Sequence, residues 1–298
     1  MKIIHSFWSV PFLSQFENDK NNKWGWPSNK YHFMSWALSC LTIKTIYPNI
    51  ELVTDYNGAR LLVDQLKLPY SEIHTDLDTI SNYSPKIWAL GKIHAYSIQK
   101  DPFIHVDGDV FLWKRFSSKL ENSPLIAQNI DKYNINEYFK ALQHLKKHSI
   151  ILPKELLAFK KLEDINFSHN AGILGGMDID FFSYYSKKVQ SFIGDNLHRI
   201  GPNINGAQFA LIYEQLMFSV LAKKAKLAIN CLFDEEDEEF KNLDDFYNRF
   251  KVNKYVHLLN ISKSNLYNCH EMEMSLLIHY PTYHEIIERY YMDNYGNI

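Results

Sequence analysis

Along the first 115 residues, short continuous apolar runs alternate with longer stretches whose apolar positions recur at helical spacing. The runs predict strands at residues 2–8, 50–55, 70–77 and 102–113, and the stretches between them predict helices at 31–47, 57–68 and 84–100. Such alternation is typical of an α/β protein with a mixed, mainly parallel sheet flanked by helices. Ligands of these sheets bind beyond the carboxyl ends of the strands.

The pattern changes in the second part of the chain. A strand is predicted at 124–130, and a polar, lysine-rich insertion of about 130–164 follows, with helices at 138–147 and 153–161. Further on we expect a strand, glycine-containing turn and helix at 166–193, an amphipathic helix at 208–225, an acidic run from Asp234, a strand at 255–260 and two C-terminal helices. We therefore predict one large domain over 1–265, which includes the insertion, and a C-terminal helical extension over 266–298.

Composition and charge exclude several classes of protein. The 298 residues carry a formal net charge of −2 without a long basic run, so no nucleic-acid partner is expected. Cys40, Cys231 and Cys269 are scattered, which argues against a disulfide framework or a cysteine zinc site. The start lacks a signal-peptide pattern, and no run approaches the roughly 18 apolar residues of a membrane span. The expected location is the cytoplasm, with peripheral membrane contact left open.

Two carboxylates, Asp107 and Asp109, flank Gly108 directly behind the apolar run at 103–106. Residues two apart in an extended segment point the same way, and the glycine lets a ligand or the backbone approach closely. Two uncompensated carboxylates at the end of a buried strand are costly, whereas a divalent cation would offset that cost. Oxygen ligands suit Mg²⁺ or Mn²⁺. The alternative is a plain Asp-Gly-Asp surface turn, but the apolar runs on both sides favour a metal site.

Five segments occur in a set order, KIWALGKIHAYSI, HVDGDVF, HNAGILGGMD, YEQLMFSVL and YVHLLNISK. In this order they resemble the motifs of GT-A fold, nucleotide-sugar-dependent glycosyltransferases, especially the bacterial group similar to glycogenin and lipopolysaccharide galactosyltransferases. The resemblance spans roughly residues 1–265 and implies a Rossmann-like GT-A catalytic domain there. It departs at the last motif, where the group has a glycine and then Lys-Pro-Trp, while this chain has Asn260 and no Pro-Trp.

The resemblance also implies roles for particular residues. Asp107, Asp109 and His257 would bind Mn²⁺ or Mg²⁺, and Asp107 would also face the ribose. The remaining implied contacts are Lys92 (with Lys86 as the alternative) and Lys263 near the phosphates, and Asn170, Gly175 and Gly176 under the donor sugar. Asn170, Glu214 and Gln215 are the implied catalytic groups. Trp24 and Trp26 would either stack a uracil-like base or serve packing. Without the resemblance, the pattern favours His257 as a hydrogen-bonded core histidine and Lys92 as a surface lysine.

The implied activity is metal-dependent transfer of a sugar from a nucleotide-sugar, with a UDP-sugar as the expected donor. The acceptor is a carbohydrate, a lipid-linked group or a peptide. In an inverting reaction Glu214 would deprotonate the acceptor hydroxyl. In a retaining reaction the leaving phosphate would take that proton, and Glu214 would only position the sugar.

Two alternatives remain open at this stage. One is a catalytically inactive GT-A-like protein that acts in binding or as a scaffold. The other is a haloacid dehalogenase-like phosphatase, which is disfavoured because the Asp-x-Asp pair does not follow the first strand. The insertion and the C-terminal helices are expected to line the acceptor side, unless the C-terminal aromatic residues serve packing or an oligomer contact.

Overall fold

The computed structural model describes residues 1–18, 24–132, 134–159, 165, 167–234, 237–247, 254–259 and 261–296. The strands are β1 (Lys2–Phe7), β2 (Ile50–Thr54), β3 (Glu72–His74), β4 (Phe103–Val106), β5 (Val110–Leu112), β6 (Leu125–Ala127), β7 (Ile173–Gly176), β8 (Ile229–Cys231) and β9 (Tyr255–His257).

The helices are α1 (Ser9–Asn18), α2 (Asn29–Ile46), α3 (Tyr56–Ala59), α4 (Leu90–Ser97), α5 (Ser118–Glu121), α6 (Ile135–Lys147), α7 (Lys154–Leu157), α8 (Ile179–Gly194), α9 (Gly206–Ala210), α10 (Met217–Ala225), α11 (Glu238–Lys241), α12 (Ile261–Ser264), α13 (Leu266–His279) and α14 (Pro281–Tyr295). The predicted fold class is confirmed, because the described strands include a seven-stranded, mainly parallel sheet that helices flank. Within the described residues, no helix is long and apolar enough to cross a membrane.

The described chain divides into two compact units, and the first, unit A, contains residues 2–81, 106–116 and 236–298. Strands β3, β2 and β1 lie side by side and are parallel, with Ile3 opposite Ile50. All five residues of β2 are buried, as expected for a strand covered on both faces. Strands β5 and β9 form a separate antiparallel pair.

Helix α2 is the central helix of unit A. It packs against β5 and against both C-terminal helices, α13 and α14. The Lys30 ammonium lies 2.9 Å from a Glu273 carboxylate oxygen and 3.0 Å from one of Glu288. The Tyr290 ring packs on Phe33 with a centroid distance of 5.4 Å. These contacts favour the packing role for the C-terminal aromatic residues.

Unit B contains residues 1, 82–105 and 117–235. Its strands lie in the order β4, β7, β6, β8, with β6 antiparallel to β7 and parallel to β8. Helix α4 packs on α8, and a buried aromatic cluster fills the space beside them. Its members are Tyr96, Phe103, Phe182, Tyr185 and Phe218.

Several elements differ from the sequence-based predictions. The predicted strand at 102–113 is two strands, β4 and β5, since a turn intervenes. Short π-helical segments, Arg60–Gln65 and Leu211–Leu216, interrupt two predicted helices. The helix predicted at 84–100 begins as a 3₁₀ turn, Pro85–Ile87, before α4.

Other predictions fall partly outside the described residues. Helices α6 and α7 lie in the predicted insertion, whose residues 160–164 are outside the described part, as are Asn260 and residues 235–236 of the acidic run. Helix α1 and strand β8 are not predicted by the sequence pattern. The two units are defined by contacts between residues. The boundary at residue 265 separates a predicted catalytic domain from a C-terminal extension, and it stays a prediction.

Candidate metal centre

The Asp-Gly-Asp segment forms a tight turn between β4 and β5. The Val110 amide donates a hydrogen bond to the Asp107 carbonyl at 3.0 Å, which closes the turn. A Cβ atom on Gly108 would lie 2.6 Å from the Trp36 indole. The glycine is therefore required by the close approach of this ring, since only a hydrogen atom fits there.

Helix α2 holds this turn through two serines that are spaced four residues apart. Ser35 Oγ donates to the Gly108 carbonyl at 2.7 Å. Ser39 Oγ donates to the Val110 carbonyl at 2.6 Å. Both serines are buried, and their hydroxyls satisfy two carbonyls of the turn.

A buried histidine extends the support of the turn. His5 Nε2 lies 3.2 Å from Ser39 Oγ, and His5 Nδ1 lies 2.9 Å from the Tyr70 hydroxyl. Because the Ser39 proton is directed to Val110, Nε2 carries the ring proton and Nδ1 accepts from Tyr70. Burial lowers the pKa of His5 to about 3, so the ring is neutral. An uncharged, internally satisfied network thus supports the turn.

The three predicted metal ligands converge within unit A. Strand pairing places Val110 of β5 opposite His257 of β9. One ligand atom each from Asp107, Asp109 and His257 lies within 4.8 Å of the others. His257 Nε2 is 3.5 Å from Asp109 Oδ1, and the histidine side chain is only 3% exposed. Two carboxylates and one imidazole at this spacing could hold a divalent metal ion.

Lys263 lies at the same centre, at the end of α12. Its Nζ atom is 2.5 Å from Asp109 Oδ2 and 5.9 Å from the centroid of the buried Trp26 ring. Burial by itself raises the pKa of Asp109, but the charge of Lys263 and the hydrogen bonds from Lys263 and His257 outweigh it and hold that pKa well below its usual range. Asp109 is therefore an anion at neutral pH, ready to bind a cation.

The donor set fits a hard divalent cation. The carboxylates supply negative charge and the oxygen ligands that Mg²⁺ and Mn²⁺ prefer, and His257 supplies one nitrogen ligand. Two other groups of carboxylates and histidine occur among the described residues, at Glu51, Glu72 and His74 and at Glu273, His284 and Glu288. In each of these, as at Asp109 of the candidate metal centre, a lysine ammonium lies within hydrogen-bond distance of a carboxylate of the group.

In unit B the predicted phosphate lysine and the predicted catalytic carboxylate form an ion pair. Lys92 Nζ lies 2.7 Å from Glu214 Oε1, and the two side chains are 12% and 2% exposed. Glu214 belongs to the π-helical segment Leu211–Leu216, and π segments inside helices often occur at functional sites. The two residues act as a pair, which the sequence did not predict.

Lys86, the alternative to Lys92, has a structural contact. Its ammonium donates to the backbone carbonyls of Gly201 and Pro202 at 3.3 Å and 2.5 Å. It therefore stabilises the loop that precedes α9. Between the two predicted lysines, Lys92 is the one that contacts another predicted site residue.

Local hydrogen bonding and close backbone packing account for the segment around Asn170. Asn170 Oδ1 accepts a hydrogen bond from the Gly172 amide at 2.8 Å, which is an Asx-type turn. A Cβ on Gly175 would lie 2.2 Å from the Phe103 carbonyl oxygen. Gly176 has a φ of +144°, and its Cβ would lie 2.1 Å from the Pro124 carbonyl oxygen. Both glycines are thus explained by close strand packing, and a sugar contact stays a prediction.

Gln215 lies beside a polar cluster that the sequence did not single out. It contacts the hydroxyl of Tyr138 on α6, which also contacts Asp131. Like Ser35 and Ser39, Tyr138 and Asp131 are contact residues that the sequence motifs do not include. Only the two serines gave a sequence signal, as polar residues at i and i+4 in an otherwise apolar helix.

The chain belongs to a family of unknown function, DUF6734, whose match covers residues 1–290. No curated protein matches it. Similar solved structures include an active-site mutant of LgtC, with a TM-score of 0.45, 9% identity and coverage of 92% of this chain and 96% of that one. A second LgtC structure, described as a galactosyltransferase with donor and acceptor sugar analogs, has a TM-score of 0.35 and 12% identity, with coverage of 72% and 70%.

The bifunctional glycosyltransferase WbbM is also similar, with a TM-score of 0.46 and 13% identity. That match covers 97% of this chain and 51% of WbbM. LgtC and WbbM are glycosyltransferases, the class that the order of the sequence motifs resembles.

Proposed function

We propose that this protein is a metal-dependent glycosyltransferase that moves a sugar from a nucleotide-sugar, with a UDP-sugar as donor, to an acceptor hydroxyl. The observation that carries the proposal is the convergence of Asp107, Asp109 and His257 on one point, with Lys263 beside them. Such a centre suits a nucleoside diphosphate, which binds a divalent cation through its phosphates. The similar glycosyltransferase structures are consistent with this proposal.

The roles follow from the charges of these side chains. Asp107, Asp109 and His257 would hold Mn²⁺ or Mg²⁺, which when bound neutralises the charge that develops on the diphosphate leaving group. Lys263 adds a fixed positive charge at the same place, where a phosphate oxygen would accept from its ammonium. Trp26 limits the freedom of the Lys263 side chain by lying under it.

The predicted groups of unit B are assigned to the transferred sugar by their motifs. Glu214 is held by Lys92 in a buried pair, so its carboxylate has a fixed position. Gln215 is the next residue and is half-buried. We assign Glu214, Gln215 and Asn170 to the sugar, and we assign Lys92 to fixing Glu214.

The test is a screen of nucleotide-sugars for release of the nucleoside diphosphate, with and without Mn²⁺, in the presence and absence of simple sugar acceptors. The expected result is Mn²⁺-dependent release from at least one UDP-sugar. The Asp109→Asn variant should lose this activity and the Mn²⁺-dependent part of UDP binding, measured by calorimetry, while it keeps the wild-type circular dichroism spectrum.

Asp64→Asn is the matched control, because Asp64 is an exposed carboxylate of unit A outside the metal centre. Mn²⁺-dependent UDP binding without turnover of any nucleotide-sugar would favour the inactive binding protein. Equal UDP binding by wild type and Asp109→Asn in Mn²⁺ would contradict the metal centre itself.

A further inference from the structure

The predicted catalytic residue Gln215 is connected to a buried pair of polar groups in unit B. The Tyr138 hydroxyl lies within hydrogen-bond distance of Gln215 Oε1 and 3.0 Å from Asp131 Oδ2. Tyr138 is fully buried and Asp131 is 6% exposed, whereas Gln215 is half-buried. Helix α6, which carries Tyr138, packs on the segment Leu211–Leu216 that contains Gln215.

The hydroxyl has a single proton for these two neighbours. A carboxylate only accepts hydrogen bonds, and a charged acceptor forms the stronger bond, so the proton is directed to Asp131. Burial, together with the negative charge of Asp131, raises the pKa of Tyr138 well above its ordinary value, so the proton stays on the phenol. The phenol oxygen can then only accept a hydrogen bond from Gln215.

This condition determines the orientation of the Gln215 amide. The oxygen and nitrogen of a side-chain amide have nearly the same shape, so the hydrogen-bond network decides which of them faces Tyr138. The structure places Oε1 toward Tyr138, but the proton count requires the reverse orientation, in which the amide nitrogen donates to Tyr138. The carbonyl oxygen is consequently at the other end of the amide and is presented as an acceptor.

Asp131 is itself held in place. Its second carboxylate oxygen accepts a hydrogen bond from the Asn134 side chain at 2.8 Å. Its backbone amide donates to the Ser168 carbonyl at 2.7 Å. The Asp131 and Tyr138 positions are thus set by the insertion that carries α6 and by the segment before Asn170.

We propose that Tyr138 and Asp131 are positioning residues that fix the side-chain carbonyl of Gln215 as a hydrogen-bond acceptor for the transferred sugar. This inference rests on the proposed function, because it assigns the Gln215 carbonyl to the donor sugar. It also implies that the helical insertion helps to position a catalytic residue, because α6 supplies Tyr138.

Two variants test the orientation separately from the packing. Tyr138→Phe removes the hydroxyl and keeps the ring. Asp131→Asn keeps the shape but provides an amide donor, so the Tyr138 proton can turn to Gln215 and reverse the amide. Both variants should lower kcat for nucleotide-sugar turnover about tenfold, with KM for the donor changed less than about twofold, as expected when an interaction matters chiefly in the transition state.

Tyr185→Phe is the matched control. Tyr185 is also a fully buried tyrosine, and its hydroxyl donates to the Glu214 backbone carbonyl at 2.6 Å, on the same helical segment. The control should lose thermal stability but keep kcat. A kcat loss in Tyr185→Phe as large as that in Tyr138→Phe would show that general loosening of this segment is responsible, and would overturn the proposal.

A second readout does not depend on activity. The side-chain amide signals of Gln215 in ¹H–¹⁵N spectra can be assigned by their loss in Gln215→Glu. Their shifts should move and their hydrogen exchange should speed up in Tyr138→Phe and Asp131→Asn, but not in Tyr185→Phe. Gln215 signals that are the same in the variants as in the wild type would overturn the positioning role. If the signals change in the variants but the wild-type protein turns over no nucleotide-sugar, the positioning role stands and the proposed glycosyl transfer is contradicted.

Discussion

The Lys263 ammonium lies 2.5 Å from Oδ2 of Asp109, while the other carboxylate oxygen of Asp109 lies 3.5 Å from His257 Nε2. One carboxylate therefore lies between a permanent cation and the candidate metal position. A metal ion bound there would share the negative charge of Asp109 with the lysine, so we expect Lys263 to weaken metal binding in the absence of nucleotide and to strengthen the binding of a phosphate.

The Lys263→Met variant should separate these two effects. Mn²⁺ alone should bind a few-fold more tightly, because a positive charge next to a ligand has been removed. UDP in saturating Mn²⁺ should bind roughly tenfold more weakly, because a charge-assisted contact is lost. Calorimetric titrations of Mn²⁺ and of UDP check both. Weaker Mn²⁺ binding by the variant would contradict the competition between Lys263 and the metal.

His257→Ala should remove the stabilisation that Mn²⁺ and UDP give to the folded protein. A ligand at one hundred times its Kd stabilises by about 2.7 kcal/mol, and this gain should shrink in the variant. Thermal melting with and without Mn²⁺ plus UDP is the measurement, and His279→Ala, at an exposed position of α13, is the control. If His257 served only packing, the variant would melt lower but would keep the full gain.

Gly108→Ala should distort the Asp-Gly-Asp turn. The new methyl group would lie 2.6 Å from the Trp36 ring, so the turn or the indole must move, at a cost of about 1–3 kcal/mol. Because the flanking carboxylates move with the turn, Mn²⁺ affinity should also fall. Gly194→Ala is the control, since a Cβ there meets no atom within 4 Å. Urea unfolding and Mn²⁺ titration are the measurements, and wild-type values for both in Gly108→Ala would refute the steric argument.

Lys92→Met should be more damaging than Lys92→Met combined with Glu214→Gln. The single change leaves a carboxylate that is 2% exposed without its lysine, and breaking such a pair costs about 3–5 kcal/mol. The double variant removes the buried charge as well and should recover part of the loss. A double-mutant cycle from urea unfolding measures the interaction energy. Additive effects of the two changes would mean that the pair does not interact in solution.

Lys30→Met should destabilise the packing of α13 and α14 on α2 in a pH-dependent way. Burial raises the pKa of Glu273, but Lys30 and His284 outweigh it and lower this pKa below the ordinary value. The stabilisation that ionised Glu273 contributes is therefore complete above the ordinary carboxyl pKa of about 4.3. It is lost as the pH falls through the lower pKa that Glu273 has in the folded protein.

The free energy of unfolding of Lys30→Met should be about 1 kcal/mol lower than that of the wild type at pH 7, because both partners of the ion pair are partly exposed. This difference in free energy should become smaller below about pH 4. Lys140→Met, which removes an exposed pair with Glu137, is the control and should change stability little. Urea unfolding at several pH values checks this. A difference between Lys30→Met and wild type that grows on acidification would contradict the assigned direction.

The sequence by itself determined the alternation of strands and helices and the chemistry of the Asp107 and Asp109 pair. Both are local properties, because the period of apolar positions and the spacing of two carboxylates are encoded by neighbouring residues. The ordered motifs also indicated His257 as a third metal ligand and Lys263 as a phosphate contact. Their spacing in the sequence could not show that these groups meet.

Only the tertiary structure decided which side chains contact one another. It divided the predicted strand at 102–113 at Gly108, since Trp36, Ser35 and Ser39 of α2 fix a turn there. It paired Lys92 with Glu214 and placed Tyr138 beside Gln215. These contacts join residues that are far apart along the chain. They depend on how helices and strands pack, which local hydrophobic periodicity does not encode.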